Sequence, residues 1–270
     1  MSKVKDTLKR ILPAPVLHFA ADTLNAVRRS NDWPAATFHP WRRDTVSRLA
    51  LLKDKYRGER CFIIGNGPSL RNTDLSKLKD EYTFGLNRIY LMFPELGFKT
   101  TFLLSVNDLV IEQCAAEIQA LPIPKFVSWR SRTVLQPADD LYFLYTTYTG
   151  AKFSKDARGR LWEGATVTYA ALQVAFFMGF EKVILIGVDH NFATKGQPNT
   201  TVVSQGDDPN HFAPGYFGKG FRWQLPDLET SEIAYRMARE AYEKDGRQVL
   251  DATIGGKLTV FPKVPYDSLF

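Results

Sequence analysis

Between positions 166 and 179 the chain reads TVTYAALQVAFFMG, with no charged residue on any side, and two residues later KVILIG follows. A helix without a polar face cannot lie on a surface and has to be covered all round. An apolar strand fed directly by such a helix is buried on both faces, as in a parallel sheet with helices on each side. This pair alone selects an α/β architecture with crossover connections. Short apolar runs at 61–65, 82–86, 101–106, 125–129, 141–145, 182–187 and 248–251 read as further strands, and 108–120, 166–179 and 230–245 as helices. In the last helix the spacing places Ile233, Met237 and Ala241 on the apolar face. Glu232, Arg236, Arg239, Glu240 and Glu243 then face water, and Gly246 supplies the stop.

The expected fold is therefore α/β and Rossmann-like: a mainly parallel sheet with helices on both faces, a long active-site loop and an N-terminal helical extension. A chain of 270 residues that is 44% hydrophobic is not disordered, and this length suits one large domain with appendages. The expected division is a basic extension over 1–57, the α/β domain over 58–262 and a tail over 263–270. In the extension Lys3, Lys5, Lys9, Arg10, Arg28 and Arg29 mix with Leu8, Ile11, Leu12, Val16, Leu17 and Phe19, while Pro13 and Pro15 interrupt any continuous amphipathic face. Two cysteines, Cys61 and Cys114, make neither a zinc site nor a disulfide framework, which fits a reducing cytosol. The apolar runs fall short of the roughly 20 residues a bilayer requires, and no cleavable signal opens the sequence. A cytoplasmic protein is expected, at most peripheral to the inner membrane.

The formal net charge is +6, which suits an anionic partner without choosing one. The sharpest local feature is Gly65-Asn66-Gly67-Pro68-Ser69-Leu70, placed after the first strand, where ligands of open α/β sheets gather. Two glycines permit positive φ and close backbone approach, Pro68 suits a first helical turn, and Ser69 offers a hydroxyl beside amide donors for a phosphate. The motif lacks the third glycine of the dinucleotide fingerprint and the Gly-Lys-Ser/Thr of the P-loop. A ligand-free tight turn is the competing reading.

The KVILIG strand ends in Asp189-His190-Asn191 at the same sheet edge. Asp189 could accept from a sugar hydroxyl, anchor Mg²⁺ or orient His190, and His190 could move protons near neutrality. Equally, Asp189 could cap a turn while His190 packs. Asn87 and Asn107 end two further strands, and each amide can donate and accept. The aperiodic segment 191–228 reads as a lid or acceptor loop, or else as a folded cover for the sheet edge. It carries Asp207, Asp208 and His211, then Tyr216, Lys219, Arg222 and Trp223, where rings could stack on sugar or base and cations offset phosphate. One short cluster of this kind is no basis for a nucleic-acid partner. Neither a Gly-x-Ser-x-Gly elbow nor a His-Glu-x-x-His run is present, which excludes the serine hydrolases and common zinc enzymes.

Taken together, CFIIGNGPSL, GLNRIY, TVTYAALQVAFFMGFEKVILIGVDHNF and DDPNHFAPGYFGKGFRWQLPDLE resemble the MptE-like family, named after the 6-hydroxymethylpterin diphosphokinase and including bacterial motility accessory factors associated with flagellin glycosylation. The arrangement is also similar, more distantly, to the bacterial sialyltransferases that use CMP-activated sialic acid. That similarity implies that Asn66 and Asn87 contact the nucleotide, that Asn107 lies near the donor, and that Thr166 to Thr168 stand beside the nucleotide. Where the sialyltransferases carry leaving-group tyrosines this chain has His190-Asn191-Phe192, and Lys219 stands where they have a histidine base.

The resemblance implies a nucleotide-dependent transferase, in first place a glycosyltransferase using a CMP-type sugar donor and a glycan or small-molecule acceptor in cell-surface glycan or protein glycosylation. In that reading His211, His190 or Lys219 acts as base, the Gly-rich turn with Lys219 and Arg222 holds the leaving phosphate, and no cofactor is required. The alternative is an ATP-dependent pterin diphosphokinase with Mg²⁺ on Asp189, Asp207 and Asp208. A third reading is a nucleotide-binding scaffold without chemistry.

Overall fold

The computed structural model describes residues 32–194 and 196–270. The basic stretch read over residues 3–29, and the peripheral membrane contact assigned to it, lie outside the described residues. Among these, no helix is long and apolar enough to cross a membrane.

Eight strands form one sheet, and every strand pair within it is parallel. They are β1 (Arg60–Ile64), β2 (Tyr82–Leu86), β3 (Phe102–Ser105), β4 (Lys125–Ser128), β5 (Leu141–Thr147), β6 (Arg160–Trp162), β7 (Lys182–Ile186) and, after the pair β8 (Thr201–Val203) and β9 (Arg222–Gln224), β10 (Gln248–Asp251). The order is β10-β7-β1-β2-β3-β4-β5-β6. From β1 the chain steps outward to β6 and then returns to pair β7 on the other side of β1. The order therefore reverses between β1 and β7, the position at which open α/β sheets gather their ligands.

Alternation along the strands fills two cores. Cys61 and Ile63 pack on one face of the sheet and Phe62 and Ile64 on the other. The helices include α1 (Pro40–Ala50), α2 (Phe93–Leu96), α3 (Asp108–Gln113), α4 (Ala115–Ala120), α5 (Val167–Met178) and α6 (Leu228–Lys244). In α5 every residue from Thr168 to Met178 is buried, as its composition requires, Thr166 caps its start, and Gly179 ends it at φ 98°. Helix α1 covers an edge: β6 pairs β5 only from Tyr145 onward, and below that point Arg48 donates to Asp139 O (2.7 Å) and Leu141 O (2.9 Å). A half-open strand is thereby closed by a guanidinium.

Several sequence expectations are corrected. The helix read over 108–120 breaks at Cys114 (φ −120°, ψ 20°), which re-aims the chain so that Val110, Ile111 and Ile118 all reach the core. The buried face of α6 is Ser231, Ala234, Tyr235, Ala238, Ala241 and Tyr242, whereas Ile233 is exposed. Small residues let α6 approach α5 closely, and the tyrosine hydroxyls find partners in Thr166 Oγ1 (3.2 Å) and Leu172 O (2.8 Å). The segment 191–228 contains an antiparallel pair, Val202 opposite Trp223, and its rings Phe212, Tyr216, Phe217 and Trp223 are buried in the second core.

Candidate functional site

The ends of β1 and β7 are fastened to each other. Gly65 N donates to Ile186 O (2.8 Å), Gly67 N to Gly187 O (2.9 Å) and Ser69 N to Asp189 Oδ1 (3.1 Å), while Ser69 Oγ donates to Asp189 Oδ2 (2.7 Å). A Cβ on Gly65 would stand 2.3 Å from Gly187 O, and one on Gly67 1.8 Å from Asp189 Oδ2. The glycines are thus required by strand-end packing. Neither has the positive φ expected of it, and Gly67 lies at φ −68°. The expectation that this turn offers its amides to a phosphate is corrected: those of Gly65, Gly67 and Ser69 are taken, and the Asp189 carboxylate already occupies the anion position over the short 3₁₀ turn Pro68–Asn72. Burial pushes the Asp189 carboxyl above its ordinary value, against the lowering effect of Ser69.

Above this floor lies a cleft of two lobes. The first, of about 170 Å³, is walled by Gly65, Asn66, Gly67, Thr168, Asp189 and His190 among others; the second, of about 210 Å³, by Asn107, Tyr148, Glu163 and Trp223 among others. Asn87, Thr166, Phe192, His211 and Asp227 belong to both walls. Among the described residues five that are not glycine hold a positive φ, and four of these line the cleft: Asn87 (47°), Ala165 (57°), His190 (53°) and Asn199 (63°). Backbone strain of this kind gathers at functional sites. Asn66 Oδ1 is buried without a partner, and Asn87 Oδ1 accepts from Ser105 Oγ (3.0 Å). The first turn of α5, with its capping Thr166, presents the positive end of that helix to the cleft.

The structure gives the two histidines different surroundings. His211 stands where the lobes meet; its Nδ1 is 2.7 Å from Oδ2 of the buried Asp208, whose Oδ1 accepts from Asn210 N (3.0 Å). Its ring stacks on Tyr216 at 4.1 Å between centroids and 7° between planes. A carboxylate on Nδ1 fixes the tautomer and aims Nε2, the arrangement of an oriented general base. His190 lines the first lobe only, and its Nε2 lies 3.1 Å from Glu232 Oε1.

Other expected residues are not brought to the site. Lys219 is exposed and lines neither lobe, and Arg222 is exposed and pairs with Glu112 (3.0 Å). Tyr216 is fully buried as the plate beneath His211 and offers no stacking face to an acceptor. Among the described residues lining the cleft there is no lysine or arginine. Asp189 is committed to Ser69 and Asp208 to His211, Asp207 is exposed, and no three His, Cys, Asp or Glu among the described residues are grouped to hold a metal. The carboxylates named for Mg²⁺ therefore do not fit one.

One cluster escaped sequence reading. At the carboxyl ends of β3 to β6, Arg130 donates to Asp108 Oδ2 (2.7 Å) and Glu163 Oε1 (2.6 Å) and lies 4.3 Å over the Tyr148 ring, and the Tyr148 hydroxyl donates to Asp108 Oδ2 (2.7 Å). Burial lowers the Arg130 pKa, but Glu163, Tyr148 and Asp108 outweigh it and hold it above the ordinary arginine value. The sequence carries no signal for it: β5 runs to Thr147 because the three-residue β6 pairs with it, and that pairing puts Tyr148 and Glu163 at strand ends.

The model of the family described as 6-hydroxymethylpterin diphosphokinase MptE-like matches residues 42–195, more than half of the chain. Among solved structures, a MAf glycosyltransferase from Magnetospirillum magneticum AMB-1 is similar at 16% identity and a TM-score of 0.49, over 85% of this chain and 39% of that one. The chain thus spans well under half the length of that protein. No curated protein matches it.

Proposed function

From the premise that the chain belongs to the MptE-like family, we propose that it transfers a glycosyl group from a nucleoside-monophosphate sugar of the CMP type to a hydroxyl acceptor. The observation that carries this reading is the His211–Asp208 pair at the junction of two lobes. One lobe takes the donor between Asn66, Asn87 and the start of α5, and the other takes the acceptor. His211 Nε2 removes the acceptor proton, the acceptor oxygen bonds the anomeric carbon, and the bond from that carbon to the phosphate oxygen breaks with its electron pair leaving on the nucleotide. Asp208 stabilises the imidazolium. The monophosphate is held by neutral donors, the Asn66 and Asn87 amides and the Thr166 and Thr168 groups at the helix end.

The absence of lysine and arginine from the described lining favours one phosphate over three. It weighs, with the ungrouped carboxylates, against the ATP-dependent diphosphokinase reading. A binding protein without chemistry would have no use for a histidine oriented by a buried carboxylate. The test is calorimetry with CMP, UDP, GDP and ATP, with and without Mg²⁺, followed by assay of CMP-sugar hydrolysis. CMP binding that needs no metal, with donor turnover, is expected; an Mg²⁺-dependent preference for ATP overturns the proposal.

A further inference from the structure

We infer that the second lobe is the acceptor subsite, that Tyr148 is its stacking platform, and that the acceptor is a neutral saccharide ring. This rests on the donor and acceptor division above and deepens it. Tyr148 is 59% exposed, yet it is held at three points: the guanidinium of Arg130 lies 4.3 Å over one ring face, its hydroxyl donates to Asp108 Oδ2 (2.7 Å), and its carbonyl accepts from Trp162 Nε1 (3.1 Å). Held in this way the ring is ordered in advance, so a ligand that covers its exposed surface costs little further rotamer entropy. Tyr148 and His211 both line the second lobe, so an occupant resting on the tyrosine shares the space that the base serves.

The charge of the lobe selects the occupant. Around it the carboxylates of Asp108, Glu163 and Asp227 outnumber the one guanidinium, Arg130, which pairs with the first two, and no described lining residue is lysine or arginine. Carboxylates accept from hydroxyls, and together they repel an anionic sugar. A pyranose offers an apolar C–H face to the tyrosine and hydroxyls to the acids, which the lobe's composition matches. A planar heterocycle would also stack, and an anionic sugar would also carry hydroxyls, so both belong in the experiment.

Saturation-transfer NMR on the full chain, with CMP present, compares methyl β-galactoside and methyl α-mannoside with N-acetylneuraminic acid and 6-hydroxymethylpterin. A neutral glycoside is expected to bind; Tyr148→Phe retains affinity within about threefold, and Tyr148→Ala and Tyr148→Leu lose about tenfold, the scale of one aromatic contact. The leucine variant keeps the volume, so it answers the question if alanine unfolds the chain. Glycoside binding that is indifferent to Tyr148→Leu, or preference for the acid or the pterin, overturns the inference. If the wild-type chain fails to bind CMP while glycosides bind through Tyr148, the donor reading falls and the subsite stands.

Discussion

At the scale of single residues, the histidine at the lobe junction bears the chemistry. His211→Ala is expected to lower kcat by about 10² to 10⁴, the usual contribution of a general base, and Asp208→Asn by about 10 to 10² because the ring remains but loses its orientation. Steady-state rates of CMP-sugar turnover check both, and activity untouched by His211→Ala removes the base from the scheme. The sequence presented His190, His211 and Lys219 as equals, because nothing in one dimension shows that Asp208 folds under His211 or that Lys219 turns to solvent. Asp189 yields a pH prediction. Its folded pKa is raised above the ordinary 3.8 by burial, so its neutral form is favoured on folding: that stability is complete below the unfolded value and is lost as pH rises through the folded one. Asparagine preserves both contacts with Ser69 and never charges. Thermal melts should therefore show Asp189→Asn gaining on the wild type as pH rises above the ordinary carboxyl value, and a gap that is flat with pH contradicts the assignment.

Among elements, what was legible is the periodic part. Seven strands of the main sheet and the buried helix α5 follow from runs of apolar residues, since burial on both faces leaves no room for alternation. The three-residue strands β6, β8 and β9 did not, because pairs that short are decided by tertiary neighbours. The glycine turn has a packing role that the sequence did not show. Gly65 and Gly67 read as an anion cradle, but they are small so that the ends of β1 and β7 can touch. Gly67→Ala should accordingly destabilise the fold by about 1–3 kcal/mol, through contact with Asp189 and not through a ligand. The same change in an Asp189→Ala background should cost measurably less in denaturant titrations, and strict additivity in this cycle would exclude the clash.

For the whole molecule, charge and site are uncoupled. The chain carries a formal +6, yet none of the described residues lining the cleft is lysine or arginine. Ligand capture should then owe little to Coulombic attraction, and CMP affinity by calorimetry should change less than about threefold between roughly 50 and 500 mM salt. A steep fall would place cations at the ligand. The pinned junction of β1 and β7 has one more consequence. The family match covers that floor and stops at residue 195, so the segment that carries Asp208, His211 and Trp223 lies beyond it. With the amides of Gly65 and Gly67 spent on carbonyls at the end of β7, the floor of the cleft is built before any ligand arrives.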